Sequence, residues 1–264
     1  MTEKYTYDIY VSNINFNLTS ENEQENCVRD SFEIFYIKSG EGKLTVESAE
    51  YPLTEGYAAV APPLAYRSVT SSENTPLEYT VVRFDRASAP AEVLPMLDKI
   101  AHPEGVGFMP SPVIGQIVGL LERVTFASTL PETEGAAYIR MLIGELIILL
   151  SAASGESPTG CDDGLFARVI RYLNDNITAD ISLDSLSRRF FVSKYYLCRA
   201  FKRRGGISIH GYITAKRIAL ARQLIAAGET ASSVAYKVGY GDYSAFYRAY
   251  LKQTGESPTG AKQE

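Results

Sequence analysis

Apolar and polar positions follow two different periods along this chain, and the change falls near residue 90. Between Phe32 and Phe84, four short runs have strand character: Phe32–Ile37, Lys43–Val46, Tyr57–Ala61 and Leu77–Phe84. Turn-forming residues separate them: Ser39–Gly42, Glu47-Ser48, Pro62-Pro63 and Ser71–Pro76. Short β-branched and aromatic runs at close spacing, punctuated in this way, predict an antiparallel sandwich or barrel. After Pro90 the spacing becomes helical, over Ala91–Ile100, Pro112–Phe126 and Glu134–Ala153. In the last of these Ile139, Leu142, Ile143, Leu146, Ile147 and Leu150 recur at three and four residues. So broad an apolar face has to be covered, by its own barrel, by a second subunit or by both.

From Leu165 onward helices dominate and a repeat emerges. Ser193–Phe201 aligns with Asp242–Tyr250 at an offset of 49, pairing Arg199-Ala200 with Arg248-Ala249, Gly206 with Gly255 and Ser208 with Ser257. Just upstream, Leu186-Ser187 aligns with Val234-Ala235 at an offset of 48, so the two turns differ by one residue. Each copy reads as a short helix, a tight turn and a longer helix capped by Ser193 or Asp242. That is helix-turn-helix spacing, twice. Between the copies, Ser208–Ala227 reads as one helix flanked by Gly205-Gly206 and Gly228. At roughly 30 Å it is close to the ~34 Å of one B-DNA turn, long enough to set two reading helices in successive major grooves.

Composition sharpens the division. A chain of 264 residues with 45% hydrophobic and 22% charged residues is ordinary globular material, of a size for two domains. The expected boundaries are 1–153 for ligand sensing and dimerisation, 154–164 for a Gly/Ser/Pro-rich linker and 165–264 for the duplicated helical domain. The longest apolar stretch, Met141–Leu150, is too short to span a bilayer, and Met1–Tyr10 lacks the basic head and apolar run of a signal peptide. Three cysteines, Cys27, Cys161 and Cys198, make no disulfide framework or metal spacing and suit a reducing cytoplasm. The net charge of −5 hides a split: residues 1–162 carry 10 basic and 23 acidic side chains, residues 163–264 carry 16 and 8. The first part is therefore at −13 and the second at +8, as expected of one half that meets a polyanion and one that does not.

The duplicated helices supply the candidate chemistry. Leu197 and Phe201, and in the second copy Phe246 and Tyr250, are expected to face the core. Tyr195, Cys198 and Arg199, then Tyr243, Ser244, Tyr247 and Arg248, fall on the neighbouring face, where base edges would be read. Arginine suits guanine O6 and N7; Tyr and Ser suit bases or phosphate. Lys194, Lys202, Arg203, Arg204, Lys237 and Lys252 are phosphate candidates, which position without specifying. A plain helical bundle with solvated basic faces is the competing reading.

The segment Val169–Gly260 resembles the DNA-binding domain of AraC/XylS-type transcription regulators. The matching stretches include Leu183–Ser187, Val192–Lys202, Arg217–Ile225, Val238–Tyr250 and Thr254–Pro258. The resemblance places the family's base-reading positions on the seven residues just named. Departures are Ser187, where alanine is usual, Phe191, where the first turn often has a small residue, and Ala261-Lys262 after the Ser-Pro. Ser39–Val46 and Pro52–Pro62 resemble the cupin-like sensor barrel of many such regulators; Tyr57 and Tyr66 replace its usual acidic and histidine residues, against a metal centre.

The resulting expectation is an α+β chain: an N-terminal antiparallel cupin-like barrel with flanking helices, then an all-α domain with two helix-turn-helix units. The resemblance implies a cytoplasmic transcription regulator, an activator by analogy, working as a homodimer with double-stranded DNA, RNA polymerase and a small-molecule effector. A sugar is one such effector, with control of carbohydrate or other catabolic genes, and there is no membrane partner. Lys38, Tyr66, Arg67, Tyr79 and Arg83 are the candidate effector contacts at the barrel mouth. With only His102 and His210, and no Ser-His-Asp, Walker A or GxGxxG arrangement, the chain is expected to be no enzyme and to hold no metal or cofactor. The alternative is a small-molecule-binding or enzymatic cupin barrel with a C-terminal helical interaction module.

Overall fold

A computed structural model describes residues 9–16, 25–72, 75–127, 129–153, 160–161 and 164–259. The chain divides into two compact units, Met1–Glu25 with Ser31–Cys161, and Asn26–Asp30 with Asp162–Glu264. Most of the expected linker 154–164 lies outside the described residues.

The strands are β1 (Ile9–Phe16), β2 (Glu25–Val28), β3 (Phe32–Ser39), β4 (Gly42–Val46), β5 (Ala49–Leu53), β6 (Ala58–Ala61), β7 (Tyr66–Ser71), β8 (Leu77–Phe84), β9 (Val106–Phe108) and β10 (Gly160–Cys161). One sheet has the order β1-β8-β3-β6-β9; in the other β10, β5, β4 and β7 follow one another. The pairings described are antiparallel. Two apolar cores result. Between the sheets lie Phe35, Ile37, Leu44, Val46, Tyr51, Leu53, Tyr57, Val69, Tyr79 and Val81. On the other face of the first sheet, Ile34, Tyr36, Val82 and Phe84 pack with residues from three helices. These are α1 (Leu94–Ile100), α2 (Pro112–Ala127) and α3 (Glu132–Ala152). Residues of β3 therefore alternate between two cores, which is why Phe32–Ile37 is a continuous apolar run.

The broad face of α3 is buried in that second core through Ile139, Leu142, Ile143, Leu146, Ile147 and Leu150. Thr133–Ala152 is long and apolar enough to cross a membrane by length and composition alone, but this burial makes it a core helix. The helix expected over Ala91–Ile100 is instead a 3-10 turn at Ala91–Val93 followed by α1. Pro95 sits in the first turn of α1, where the missing N–H costs nothing, whereas one continuous helix would have put the ring in its interior. The sequence reading missed β1, β2, β9 and β10 and, between its four expected strands, β5 and β7. Pro52 interrupts one and Arg67 occupies an inward position in the other, so neither shows a clean apolar alternation.

The second unit contains α4 (Leu165–Asp175), α5 (Leu183–Phe190), α6 (Lys194–Gly205), α7 (Ile209–Ala226), α8 (Ala231–Lys237) and α9 (Tyr243–Thr254). Each repeat has its own core. In the first, Phe201 packs between Phe166 (5.0 Å) and Tyr212 (5.8 Å), with Leu186 and Leu197 fully buried. In the second, Phe246 and Tyr250 pack with Val234, Ala235, Val238 and Ile225. The caps match too. The Ser193 hydroxyl accepts from the Tyr196 N–H (3.2 Å) and the Asp242 carboxylate from the Ala245 N–H (2.8 Å). Left-handed Gly206 and Gly255 close α6 and α9. The connecting helix α7 is capped by Ser208 and is about 27 Å long.

Candidate nucleic-acid interface

The longer helix of each repeat buries one side and leaves the opposite side in water. Counting from the caps Ser193 and Asp242, the same places are presented in both copies: Tyr195 and Ser244 at the second, Cys198 and Tyr247 at the fifth, Arg199 and Arg248 at the sixth. Tyr195 is 74% exposed and Tyr247 36%; Arg199, Ser244 and Arg248 are exposed as well. Cys198 and Tyr243 are half-buried. The Tyr243 ring is anchored against Phe246 (6.0 Å) and Tyr247 (6.3 Å), so it supports the exposed Tyr247 more than it projects beside it. These places lie in the first two turns of α6 and α9, close to the positive end of each helix dipole.

The basic side chains fall into two sets. Lys202, Arg203 and Arg204 in the last turn of α6, and Lys252 in α9, are exposed. Lys194 instead meets the Asp184 carboxylate at 2.6 Å, and Lys237 meets Glu229 at 2.6 Å. Such exposed pairs are weak.

One arginine missed by sequence reasoning holds the unit together. Arg217, on α7, donates to the carbonyls of Ile177 (2.8 Å), Ala179 (2.6 Å) and Gly239 (2.8 Å). It thereby ties the loop ahead of α5 and the turn of the second repeat to the connecting helix. Its burial holds the guanidinium below its ordinary pKa, and Tyr240, whose ring lies 5.7 Å away, is raised by burial in turn. Gly239 (φ 92°) has to be glycine for this: a Cβ there would stand 2.5 Å from the Thr178 carbonyl and 2.8 Å from the Arg217 guanidinium. A helical arginine in a basic segment carries no local mark of such a role.

In the barrel unit the five candidate effector contacts do not converge. Arg67 and Arg83 both hydrogen-bond Glu33, and Arg67 and Glu33 are buried almost completely. The Arg67 guanidinium also lies 5.4 Å from the Phe35 ring centroid. Lys38 sits at the far end of β3, 3.8 Å from Glu78 and in contact with solvent. Tyr79 is part of the core between the sheets. Tyr66 is fully buried and, one residue from Arg67 along β7, points to the opposite face of the sheet. His102 is exposed-side structure: its Nδ1 accepts from the Glu104 N–H at 3.3 Å. Among the described residues no three His, Cys, Asp or Glu side chains gather as a metal site would require.

A family model described as a helix-turn-helix domain matches residues 186–264. The match begins inside α5 and takes in both exposed-face helices, α6 and α9. Among curated proteins to which the chain is similar, the HTH-type transcriptional activators RhaS of Salmonella paratyphi B and Salmonella newport are each 24% identical over 177 residues, 63% of this chain and 63% of theirs. The chain therefore spans less than two thirds of those relatives' length. Among solved structures, an apo variant of ToxT from Vibrio cholerae is 13% identical over 98% of both chains, with a TM-score of 0.43. The C-terminal domain of AraT, a response regulator from Geobacillus stearothermophilus, is 29% identical over 36% of this chain and 80% of that one, with a TM-score of 0.35.

Proposed function

We propose that this protein is a transcription regulator of the AraC/XylS type that reads duplex DNA through α6 and α9 and responds to a small molecule. One observation carries the reading. Two helices of the same length, capped alike, expose the same two places after the cap, the second and the sixth, and the sixth is arginine in both. In this reading Tyr195, Cys198 and Arg199, with Ser244, Tyr247 and Arg248, meet base edges, Tyr243 steadies Tyr247, and Arg199 and Arg248 each take a guanine. Lys202, Arg203, Arg204 and Lys252 meet phosphate, joined by Lys194 and Lys237 once they leave Asp184 and Glu229.

The relatives' description as transcriptional activators supports activation, hence contact with RNA polymerase, and a role in the cytoplasm where the DNA is. Residues 1–153 are the sensing half, 154–164 the joint and 165–264 the reading half. The effector is a small molecule of the kind a catabolic regulator monitors, a sugar included. Arg67 and Arg83, gathered on Glu33, are the polar groups inside the barrel with which it would compete. Val118 and Phe126 on α2 and Met141 and Ile148 on α3, each exposed in the single chain, support pairing with a second copy. Selection of duplexes from a random pool by the full chain tests the reading. A shared motif should emerge, and Arg199→Ala and Arg248→Ala should each relax it at a different base pair. Retardation that is equal for all sequences would reduce both helices to phosphate contacts, and no retardation at any salt would end the proposal.

A further inference from the structure

Phe191 closes α5 in the left-handed region, with φ 56° and ψ 41°. Among the described residues of the C-terminal unit it alone does so without being glycine. The other positive-φ positions described there are Gly206, Gly228, Gly239 and Gly255. Gly239 is its counterpart: at the offset of 48 that relates the two short helices, it holds in the second repeat the place Phe191 holds in the first. A bulky residue in this region is a true outlier, because its Cβ crowds the following carbonyl. The left-handed backbone lets the N–H groups of Phe191 and Val192 close on the Ser187 carbonyl, a service that glycine performs without the crowding, and the side chain adds nothing to it. The ring is 92% exposed, more than any other large apolar side chain described. Two unfavourable features, a strained backbone and a bare ring, coincide at one residue, and such outliers gather where a surface is used.

Its surroundings identify the occupant. Phe191 stands two residues before the cap of α6 and is followed there by Lys194 and the exposed Tyr195. It therefore adjoins the end of the helix that enters the groove. A duplex offers an apolar surface at that place, the deoxyribose faces between phosphates. The second repeat is closed to any such contact, since a Cβ at Gly239 would strike Thr178 and Arg217. We propose that Phe191 is a DNA contact of the first helix-turn-helix unit, its ring packing on deoxyribose beside the groove that α6 reads. This rests on the proposed function and makes the two repeats unequal: the first grips the strand with an aromatic ring and the second does not.

The test uses the full chain and a duplex that the full chain has selected from a random-sequence pool. Affinity is followed by fluorescence anisotropy across a salt series, and thermal melting is measured alongside, for Phe191→Gly and Phe191→Leu. The glycine variant relieves the left-handed backbone, so it should melt no lower than the parent. It should nonetheless bind about tenfold more weakly, as expected for a ring left uncovered. The dependence of affinity on salt should keep its slope, because no phosphate contact is lost. The leucine variant should fall between the two. Unchanged binding by the glycine variant would overturn the inference while leaving the DNA reading intact, and would point to a protein partner on this ring. Weaker binding together with a lower melting temperature would overturn it as well, by making Phe191 structural. Failure of the full chain to select any duplex would bring down the DNA reading, and this inference with it.

Discussion

In the barrel unit Arg67 and Arg83 turn inward onto Glu33, whereas Arg199 and Arg248 of the helical unit stand in solvent at matching places on α6 and α9. The same side chain thus does two jobs. A buried guanidinium has exchanged its water for fixed acceptors, and removing any partner leaves a charge stranded in a poor solvent. An exposed guanidinium keeps its donors for whatever docks. Arg217 shows that the distinction follows environment rather than domain: it belongs to the basic unit, yet its donors go to three carbonyls of the same unit. Charge counted along the sequence is therefore a poor measure of what a polyanion meets.

The largest effect that would break this contrast is at the carboxylate. Glu33→Gln strands two guanidinium groups and should destabilise the barrel unit by about 3–5 kcal/mol, read by urea or thermal unfolding. An unchanged midpoint would mean that the pair is hydrated. Arg217→Met should cost roughly 2–3 kcal/mol in unfolding of the helical unit, and Arg217→Lys should not restore it, since one ammonium cannot span three carbonyls. Arg199→Ala and Arg248→Ala should instead leave unfolding within about 0.5 kcal/mol and cost ~1–3 kcal/mol in binding to a selected duplex. If either melts the protein, that arginine belongs with the buried set. Next in size, Lys252→Ala should lower the slope of log affinity against log salt by about 0.9, and Lys237→Ala by less, because Glu229 already holds it.

The smallest effect concerns a pair fully in water. Arg86 hydrogen-bonds Asp98 and holds its carboxyl below the ordinary value of 3.8. The pair's contribution to stability is present above that pH and is lost as pH falls through the lower folded value. In Arg86→Ala the Asp98 carboxyl should titrate closer to 3.8 by NMR, with little change in unfolding at neutral pH. A large loss of stability would move Arg86 to the buried class.

Much of the fold was legible because it is written in short-range interactions. The caps Ser193 and Asp242 bond N–H groups three residues on, and the core pairs Leu197/Phe201 and Phe246/Tyr250 are four residues apart. The exposed places on α6 and α9 inherit that legibility: once a helix start and its buried face are known, they follow. Residues whose surroundings come from distant chain were misjudged. Arg67 reads as an effector contact at the barrel mouth, but Glu33, 34 residues away, holds it in a buried ion pair. The five suggested effector contacts shared a composition and not a place, so Lys38 ended at the opposite end of β3 from Glu33.

By itself the sequence determined the change from strand to helix, the duplicated helices with their caps, and the face each presents, because period, capping and turn chemistry act over a few residues. Only the tertiary structure decided which arginines are spent internally, why the second turn must be glycine and how bare the ring in the first turn is. Those depend on what remote segments bring alongside: Arg217 meets carbonyls 40, 38 and 22 residues away, and no local pattern encodes a meeting of that kind.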